Sequence, residues 1–527
     1  MDEASVKDVK DITDVIGQFG HWQRTIFIVV FCLGLPAAWN HLIIAFYAPN
    51  VAHWCIPSEI SGNFSQQSWG NVTWRRREGW QECRPPENLS SEKCDKWIYD
   101  HSFYSATIIE EWDLVCDRSF LVSLSQTIYM AGYIAGAVVL SQLSDRYGRR
   151  PVMLSSVFIL FISGIVCAFS PNFTIFAITR FLIALGRCGL YITAFVLLME
   201  TVGPDYRTVL GIARDFGWAT GYVMIPGIAW LIRNWFYMQL AITIPVLGLV
   251  SLWWILSESP RWLLTQGKLE EAETILKKAA LINKRNVDNI KSDLEMLEAS
   301  LQQNSTESRK KANIFDLLKS SNLRKKTVVI CFCWFVNAFV FYGLSLNTNE
   351  IGGSPFLSFF IFGAVEFPAY IVSIFVVKYY GRRLPLMSAM VLGGLACIAT
   401  IAVPEDLLWL RTTLSMLGKF CITSSYIVVY IFSAEIFPTV VRNVGVGASS
   451  TFARIGSAIA PFVKELGQAT HLGVTFGLFG GLAIVSGLLA LCLPETNKIV
   501  LPDTLEQGEQ FGKKIGKIPS ERELEKF

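Results

Sequence analysis

The chain has 527 residues, 52% of them hydrophobic and 17% charged, with a mean hydropathy of +0.41 and a formal net charge of +3. A soluble chain this apolar would aggregate, and Lys and Arg are not gathered on any one segment, which excludes nucleic acid as a partner. The composition is that of a protein whose partner is the lipid bilayer.

Residues 1–23 are charged and lack an apolar core ahead of a small-residue cleavage site, so they read as a cytoplasmic N-terminus and not as a signal peptide. Twelve apolar runs follow, each of a length to cross a hydrocarbon core of roughly 30 Å. In the first half they fall near 24–47, 118–142, 151–170, 174–200, 208–231 and 237–256. In the second half they fall near 327–346, 355–378, 385–403, 408–433, 444–468 and 473–493. The expected organisation is a six-helix bundle over 24–257 with a large outer loop at 48–117, a charged linker at 258–326, a second bundle over 327–493 and a tail at 494–527. In the linker, Glu270, Glu271, Glu273, Lys277 and Lys278 fall at helical spacing, so it is a solvated segment and not a span.

Short-loop charge orients the spans, because Lys and Arg near span ends stay cytoplasmic. Arg146, Arg149, Arg150, Arg207, Arg382, Arg383 and Arg442 fall on one side with the linker and both termini, which predicts a cytoplasmic location for all of them. The outer loop then holds Cys55, Cys83, Cys94 and Cys116, and sequons at Asn63, Asn71 and Asn88. Sugar acceptors and an even cysteine count both call for an outside location, and four cysteines allow three pairings that sequence does not choose between. The remaining cysteines lie in apolar spans as packing residues, with no His or carboxylate at metal-ligand spacing, so no metal is expected.

Two loops read Tyr-Gly-Arg-Arg, at Tyr147 to Arg150 and Tyr380 to Arg383, separated by about 230 residues. The same offset relates Glu200 and Arg207 to Glu435 and Arg442, and nearly relates the Glu258 and Glu495 strings. The chain is a parallel duplication, the build of two-halved secondary transporters. Asp145, Arg146, Arg149, Arg150, Glu200 and Arg207 are expected to form a breakable charge cluster, a gate at the cytoplasmic face. The bland alternative is that the basic residues only fix topology. The second copy, Arg382, Arg383, Glu435 and Arg442, lacks an Asp at the matching place and is expected to be looser.

Charge inside spans is costly and faces the bundle interior, so it maps the pathway. Spans 3, 6, 9 and 12 have none, whereas Arg180 and Arg187 lie in span 4, Arg214 and Asp215 in span 5, Glu366 in span 8, Lys419 in span 10 and Arg454 in span 11. Arg214 and Asp215 can neutralise each other. Gln239, Asn40 and Asn337 are candidates for orienting hydrogen bonds, each equally readable as a satisfied helix-packing amide.

The loop from Gly136 through Ser144-Asp145-Arg146-Tyr147-Gly148-Arg149-Arg150 is similar to the signature of the major facilitator superfamily. Nearly end to end, the chain resembles that superfamily's solute carrier branch of organic cation, carnitine and organic anion transporters. The resemblance rests on Gly17-Gln18-Phe19-Gly20, Glu111-Trp112-Asp113-Leu114-Val115-Cys116-Asp117, Glu258-Ser259-Pro260-Arg261-Trp262-Leu263, Tyr342-Gly343-Leu344-Ser345-Leu346, Ala434-Glu435-Ile436-Phe437-Pro438 and Leu501-Pro502. It implies an all-α membrane protein of the major facilitator fold, with 12 transmembrane helices in two pseudo-symmetric six-helix bundles, at the plasma membrane.

Arg454, in Ser449-Ser450-Thr451-Phe452-Ala453-Arg454, stands where the resembled family places a selectivity residue, basic in the anion and carnitine carriers. A buried guanidinium can hold a substrate carboxylate through two charge-assisted hydrogen bonds. Glu366, with Tyr370 close by, can draw a quaternary ammonium; the alternative is that Glu366 is paired with Lys419 or Arg454 and never meets substrate. Arg187, Lys419 and Arg454 against Asp215 and Glu366 tilt the cavity toward zwitterions or anions, and Arg187 departs from the uncharged residue expected of carnitine carriers. The expected function is secondary transport of small organic ions, carnitine-like zwitterions or organic cations, by alternating access, with organic anion exchange as the alternative. No phosphate-binding Gly-x-x-x-x-Gly-Lys-Ser/Thr string exists, so gradients must supply the energy, with sodium, a proton or a counter-solute left open as the coupled species. The scattered histidines and the lack of a nucleophile and base set disfavour an enzyme, no cofactor is implied, and a channel need not be a two-fold repeat.

Overall fold

The computed structural model describes residues 11–56, 83, 94, 96–287, 290–307, 314–346, 354–404, 406–470, 472–497, 499, 502 and 504–512. The long helices are α1 (His21–Leu42), α2 (Phe120–Tyr147), α3 (Arg149–Ala168), α4 (Phe173–Thr201), α5 (Asp215–Leu231), α6 (Trp235–Thr243), α7 (Ser321–Leu346), α8 (Glu366–Tyr380), α9 (Arg383–Ile401), α10 (Leu408–Ile436), α11 (Arg442–Ala469) and α12 (Leu472–Ala490). Among the described residues, ten helices are long and apolar enough to cross a membrane. The two expected spans outside that set are rich in polar residues. The fifth carries Arg214 and Asp215 where Pro204–Ala213 meets Asp215–Leu231, and the eleventh, helical over Arg442–Ala469, carries Arg454 among serines and threonines. Polar content that lowers hydropathy is what a cavity-lining helix requires.

Other expected spans are also interrupted. The sixth tightens into a 3-10 helix over Ile244–Ser251, where Pro245 removes a donor, and the eighth breaks at Val365, between Pro355–Ala364 and α8. In the outer loop, β1 (His53–Ile56) pairs antiparallel with β2 (Lys96–Tyr99), with His53 opposite Tyr99 and Cys55 opposite Trp97. Of the four loop cysteines, Cys83 and Cys116 form one disulfide and Cys94 is also disulfide-bonded. His53 lies close to Cys83 and Cys116, but a disulfide offers no thiolate to a metal. Asn63, Asn71, Asn88 and the Cys55 side chain lie outside the described residues.

The described residues form two compact units, one from Met1–Arg309, Tyr342–Phe367 and Ser457–His471, the other from Lys310–Phe341, Pro368–Gly456 and Leu472–Phe527. In the first, aromatic contacts tie the later segments to the first half of the chain. Tyr342 stacks on His41 at 4.5 Å between ring centroids, Phe359 meets Phe46 and Tyr222, both at 4.8 Å, and Phe356 stacks on Phe46 at 5.9 Å. Two polar clasps join them: Ser123 donates to Glu465 at 3.0 Å and Thr127 to the Ala458 carbonyl at 2.8 Å. In the second unit, Trp334 of α7 donates to Ser433 of α10 at 2.7 Å, and Glu509 accepts the Leu323 amide at 3.1 Å at the start of α7.

Lipid tails are as apolar as leucine, so helices associate through close packing of small residues. At the α1–α5 crossing, a Cβ on Gly217 would lie 2.1 Å from the Phe31 carbonyl oxygen. At α9–α12, Gly394 and Gly480 face each other, a Cβ on either meeting the other's carbonyl oxygen at 2.6 Å. Gly217→Val is therefore expected to abolish monodisperse, folded protein in detergent, whereas Gly211→Ala, with nothing within 4 Å of the added carbon, leaves size-exclusion profile and melting temperature unchanged.

Candidate functional site

Two features concentrate chemistry, one in the first unit and one repeated in each unit. Within the bundle, α4 carries Arg180 and Arg187, buried at bilayer depth where an uncompensated charge is expensive. Arg180 is fully enclosed: it donates to the Asn40 carbonyl at 2.9 Å and to Gln126 at 3.0 Å, and lies 4.3 Å over the Tyr129 ring. It is a structural cation. Arg187, seven residues on, sits in an aromatic enclosure, 5.1 Å from the centroid of Tyr133 and 5.4 Å from that of Trp218. Its Nη1 lies 3.1 Å from His41 Nδ1. The His41 ring stacks on Tyr342 and meets Tyr129 and Trp218 edge-on at 5.3 and 5.6 Å. Four helices, α1, α2, α4 and α5, with the end of α7, thus converge on one guanidinium. An arginine in this setting can take up an anion through two parallel hydrogen bonds.

The candidates divide. Asn40 and Gln239 make hydrogen bonds within the helices: Asn40 donates to the Pro36 carbonyl at 2.9 Å, while Gln239 accepts from Tyr47 at 2.8 Å and donates to Thr243 at 2.8 Å. Asn337 donates to the Cys333 carbonyl at 2.8 Å and accepts from Ser425. Arg214 and Asp215 form an ion pair at 3.0 Å, with the guanidinium 4.1 Å over Phe195. Glu366 is fully buried at the start of α8 in the first unit. Lys419, Tyr370 and Arg454 belong to the second unit. There Lys419 is fully buried with its Nζ 3.1 Å from the Phe341 centroid, and Arg454 is half-buried two residues from Gly456, which packs on the Phe335 backbone. The pairing of His41 to Arg187 across 146 residues has no local signal in the sequence.

The second feature is the pair of repeated loops. Arg149 pairs with Glu200 at 2.7 Å and with Asp145 at 3.1 Å, and Glu258 accepts the Arg149 and Arg150 amides at 2.8 and 3.1 Å. The repeat is faithful: Arg382 pairs with Glu435 at 2.7 Å, and Glu495 accepts the Arg382 and Arg383 amides, both at 3.0 Å. The loop glycine is needed twice over, for positive φ (+101° at Gly148, +83° at Gly381) and because a Cβ would strike the capping carboxylate at under 3 Å. The carboxylates satisfy amides left open at the start of α3 and α9, each an N-terminal partial positive charge.

Two expectations are corrected here. Arg207 pairs with Asp11 at 3.1 Å and Arg442 donates to Thr439 at 3.2 Å, because Glu200 and Glu435 are taken by Arg149 and Arg382. The second cluster is not looser, since Asn497 accepts from Arg382 at 2.9 Å where the first copy uses Asp145. Arg146 is exposed, lying over its neighbour Tyr147. Arg150 lies 3.9 Å over the Trp253 ring.

Apolar helices in a duplicated arrangement, ion pairs at matching loops and a buried cation in an aromatic enclosure define a multi-pass membrane transporter and not an enzyme. Residues 77–504 match the profile of the sugar (and other) transporter family. The chain is 37% identical over 525 residues to an organic cation transporter protein of Drosophila melanogaster, covering 96% of this chain and 95% of that one. It is 34% identical over 547 residues to organic cation/carnitine transporter 2 of Homo sapiens, covering 98% and 96%. With solute carrier family 22 member 6 of Danio rerio it shares 38% identity over 434 residues, covering 82% and 77%. Among solved structures it is similar to a partially occluded, inward-open conformation of the xylose transporter XylE from E. coli, with a TM-score of 0.62, 18% identity and coverage of 91% of this chain and 100% of that one. The chain belongs to the sugar (and other) transporter family of the major facilitator fold, in the solute carrier branch of organic cation and carnitine transporters.

Burial raises the Glu495 carboxyl, but the amides of Arg382, Arg383, Thr496 and Asn497 outweigh it and hold it below the usual carboxylate range. A depressed carboxyl stabilises fully above its unfolded value of about 4.3 and loses that contribution as pH falls through the folded value. Glu495→Ala is expected to cost about 1–3 kcal/mol by orphaning those amides. In Glu495→Gln, thermal melting across pH is expected to lack the wild type's loss on the acid side.

Proposed function

We propose that this protein is a plasma-membrane secondary transporter that moves small organic ions bearing a carboxylate, zwitterions of the carnitine kind foremost, by alternating access. The observation that carries this reading is Arg187, a buried guanidinium over Tyr133 and Trp218. The faces of those rings are the surfaces a substrate ammonium would use. The protein's own cation already lies over them, so a simple cation must compete with it, whereas a carboxylate is drawn to it. The names of the fly and human relatives, organic cation and organic cation/carnitine transporters, agree with a small organic ion as cargo. Organic anion exchange is the second reading, favoured by the further buried cation Lys419 and by Arg454.

The Arg149–Glu200 and Arg382–Glu435 pairs serve as cytoplasmic latches that break and reform as the halves move. The cysteine-bearing outer loop, with sugars at Asn63, Asn71 and Asn88, faces outside, and both termini lie in the cytoplasm.

Uptake in oocytes of carnitine, tetraethylammonium and an aromatic sulfonate tests the reading. Losing a charge-assisted contact of about 1.5–3 kcal/mol predicts that Arg187→Gln lowers kcat/KM for carnitine and the sulfonate roughly 10- to 150-fold. Arg454→Asp is expected to abolish carnitine uptake and admit tetraethylammonium. Carriage of tetraethylammonium alone by the unaltered protein would reject the proposal.

A further inference from the structure

The chain that follows the last helix of each half turns back to cover helix starts. In the second half Glu495 covers the start of α9, and further along the carboxylate of Glu509 covers the start of α7, accepting the amides of Asn322 at 2.9 Å and Leu323 at 3.1 Å. Residues between the two fasten what they cross. Thr496 donates to Glu435 at 2.6 Å and Asn497 accepts from Arg382 at 2.9 Å, so both members of the second ion pair are held. The Pro502 carbonyl accepts the Thr439 amide at 3.1 Å, and a Cβ on Gly508 would stand 2.3 Å from the Pro438 ring, which ties the loop between α10 and α11. A short helix over Leu505–Gln510, with Thr504 as its N-cap, carries Glu509 to α7. There the Asn322 side chain donates to the Glu509 carbonyl at 2.7 Å, and the buried Lys326 donates to the carbonyls of Gly508 and Phe511 with its ammonium 5.1 Å over the Phe511 ring.

The first half is tied in the same manner. Glu258 covers the start of α3, and the linker helix Leu269–Ile282 ends at Asn283, whose side-chain oxygen accepts the Trp22 amide at 2.9 Å at the start of α1. The loop after α4 is again held by one backbone bond, the Gly203 amide donating to the Gln18 carbonyl at 3.0 Å. Glu258 and Asn283 thus do for α3 and α1 what Glu495 and Glu509 do for α9 and α7. Asn283 and Glu509 differ in type and in their distance from the duplicated glutamate, so no spacing in the sequence relates them.

We infer that Thr496, Asn497, Pro502 and Leu505–Phe511 act as one strap, the second-half counterpart of the linker, which couples the start of α7 to the Arg382–Glu435 pair and holds that pair engaged. This rests on the reading of the pair as a latch. Contacts strung along one stretch of chain share the entropy of ordering it, so each contact made lowers the cost of the next and each one lost raises it. Loosening the strap at α7 therefore weakens Thr496 on Glu435 and Asn497 on Arg382. Glu509 is a positioning residue for an ion pair it does not touch.

The test uses the full-length protein, in detergent for hydrogen exchange and in proteoliposomes for carnitine uptake. In Glu509→Ala, exchange is expected to quicken roughly threefold or more at the amides of Arg382 and Arg383 as well as at those of Asn322 and Leu323. Glu509→Gln, which keeps an acceptor oxygen, is expected to have a smaller effect at Arg382 and Arg383. In uptake, Glu509→Ala is expected to lower kcat about threefold with KM little changed, and to slow Arg382→Gln no further when the two are combined. If Glu509→Ala does not fold, Lys326→Gln loosens the strap at the Gly508 and Phe511 carbonyls and carries the same expectation. Unchanged exchange at Arg382 and Arg383, or a slowing that multiplies in the double variant, overturns the inference. Should exchange quicken there while Arg382→Gln carries carnitine as fast as the wild type, the latch reading is the one that fails and the strap stands.

Discussion

A cation at bilayer depth must be met by something other than water, and the first half of the chain is organised around meeting two of them. Arg180 is met by a carbonyl, an amide oxygen and a ring face. Arg187 lies over the rings of Tyr133 and Trp218 and against the imidazole of His41. Two arginines on one helix thus stand in different surroundings, the first among hydrogen-bond acceptors and the second among aromatic rings.

The same economy of charge is solved differently at the loop faces. There the positive ends of α3 and α9 are covered by the carboxylates of Glu258 and Glu495, and the adjoining arginines are clamped by Glu200 and Glu435. Each loop joins a helix start, a helix end and the segment after the last helix of its half. Each such junction gathers several charge-assisted contacts at one place. Both copies are built alike, with Asn497 standing in for the Asp.

Much of this was legible in the chain because duplication writes itself as spacing. The Tyr-Gly-Arg-Arg strings, the Glu200 and Glu435 offset and the linker-type Glu258 and Glu495 motifs all mark real junctions. What the spacing hid was who pairs with whom. Arg207 follows Glu200 closely in sequence, yet the end of α4 delivers Glu200 to Arg149 at the start of α3, and Arg207 reaches the N-terminal Asp11 instead. Asn40 and Gln239 were indistinguishable by residue type from substrate ligands; only the location of Pro36, Tyr47 and Thr243 shows their hydrogen bonds to be already made.

The sequence by itself determined the membrane class, the duplicated helical plan and the residue types able to handle an organic ion, because hydropathy and charge placement are properties of composition along one dimension. Tertiary structure alone decided that His41 and Arg187 touch, that Arg180 and Arg187 are both buried, and that the ends of α7 and α11 and the segment preceding α8 join the first unit. Those are matters of which helix faces meet, and helices crossing at glycine contacts bring together residues whose separation along the chain carries no trace of the encounter.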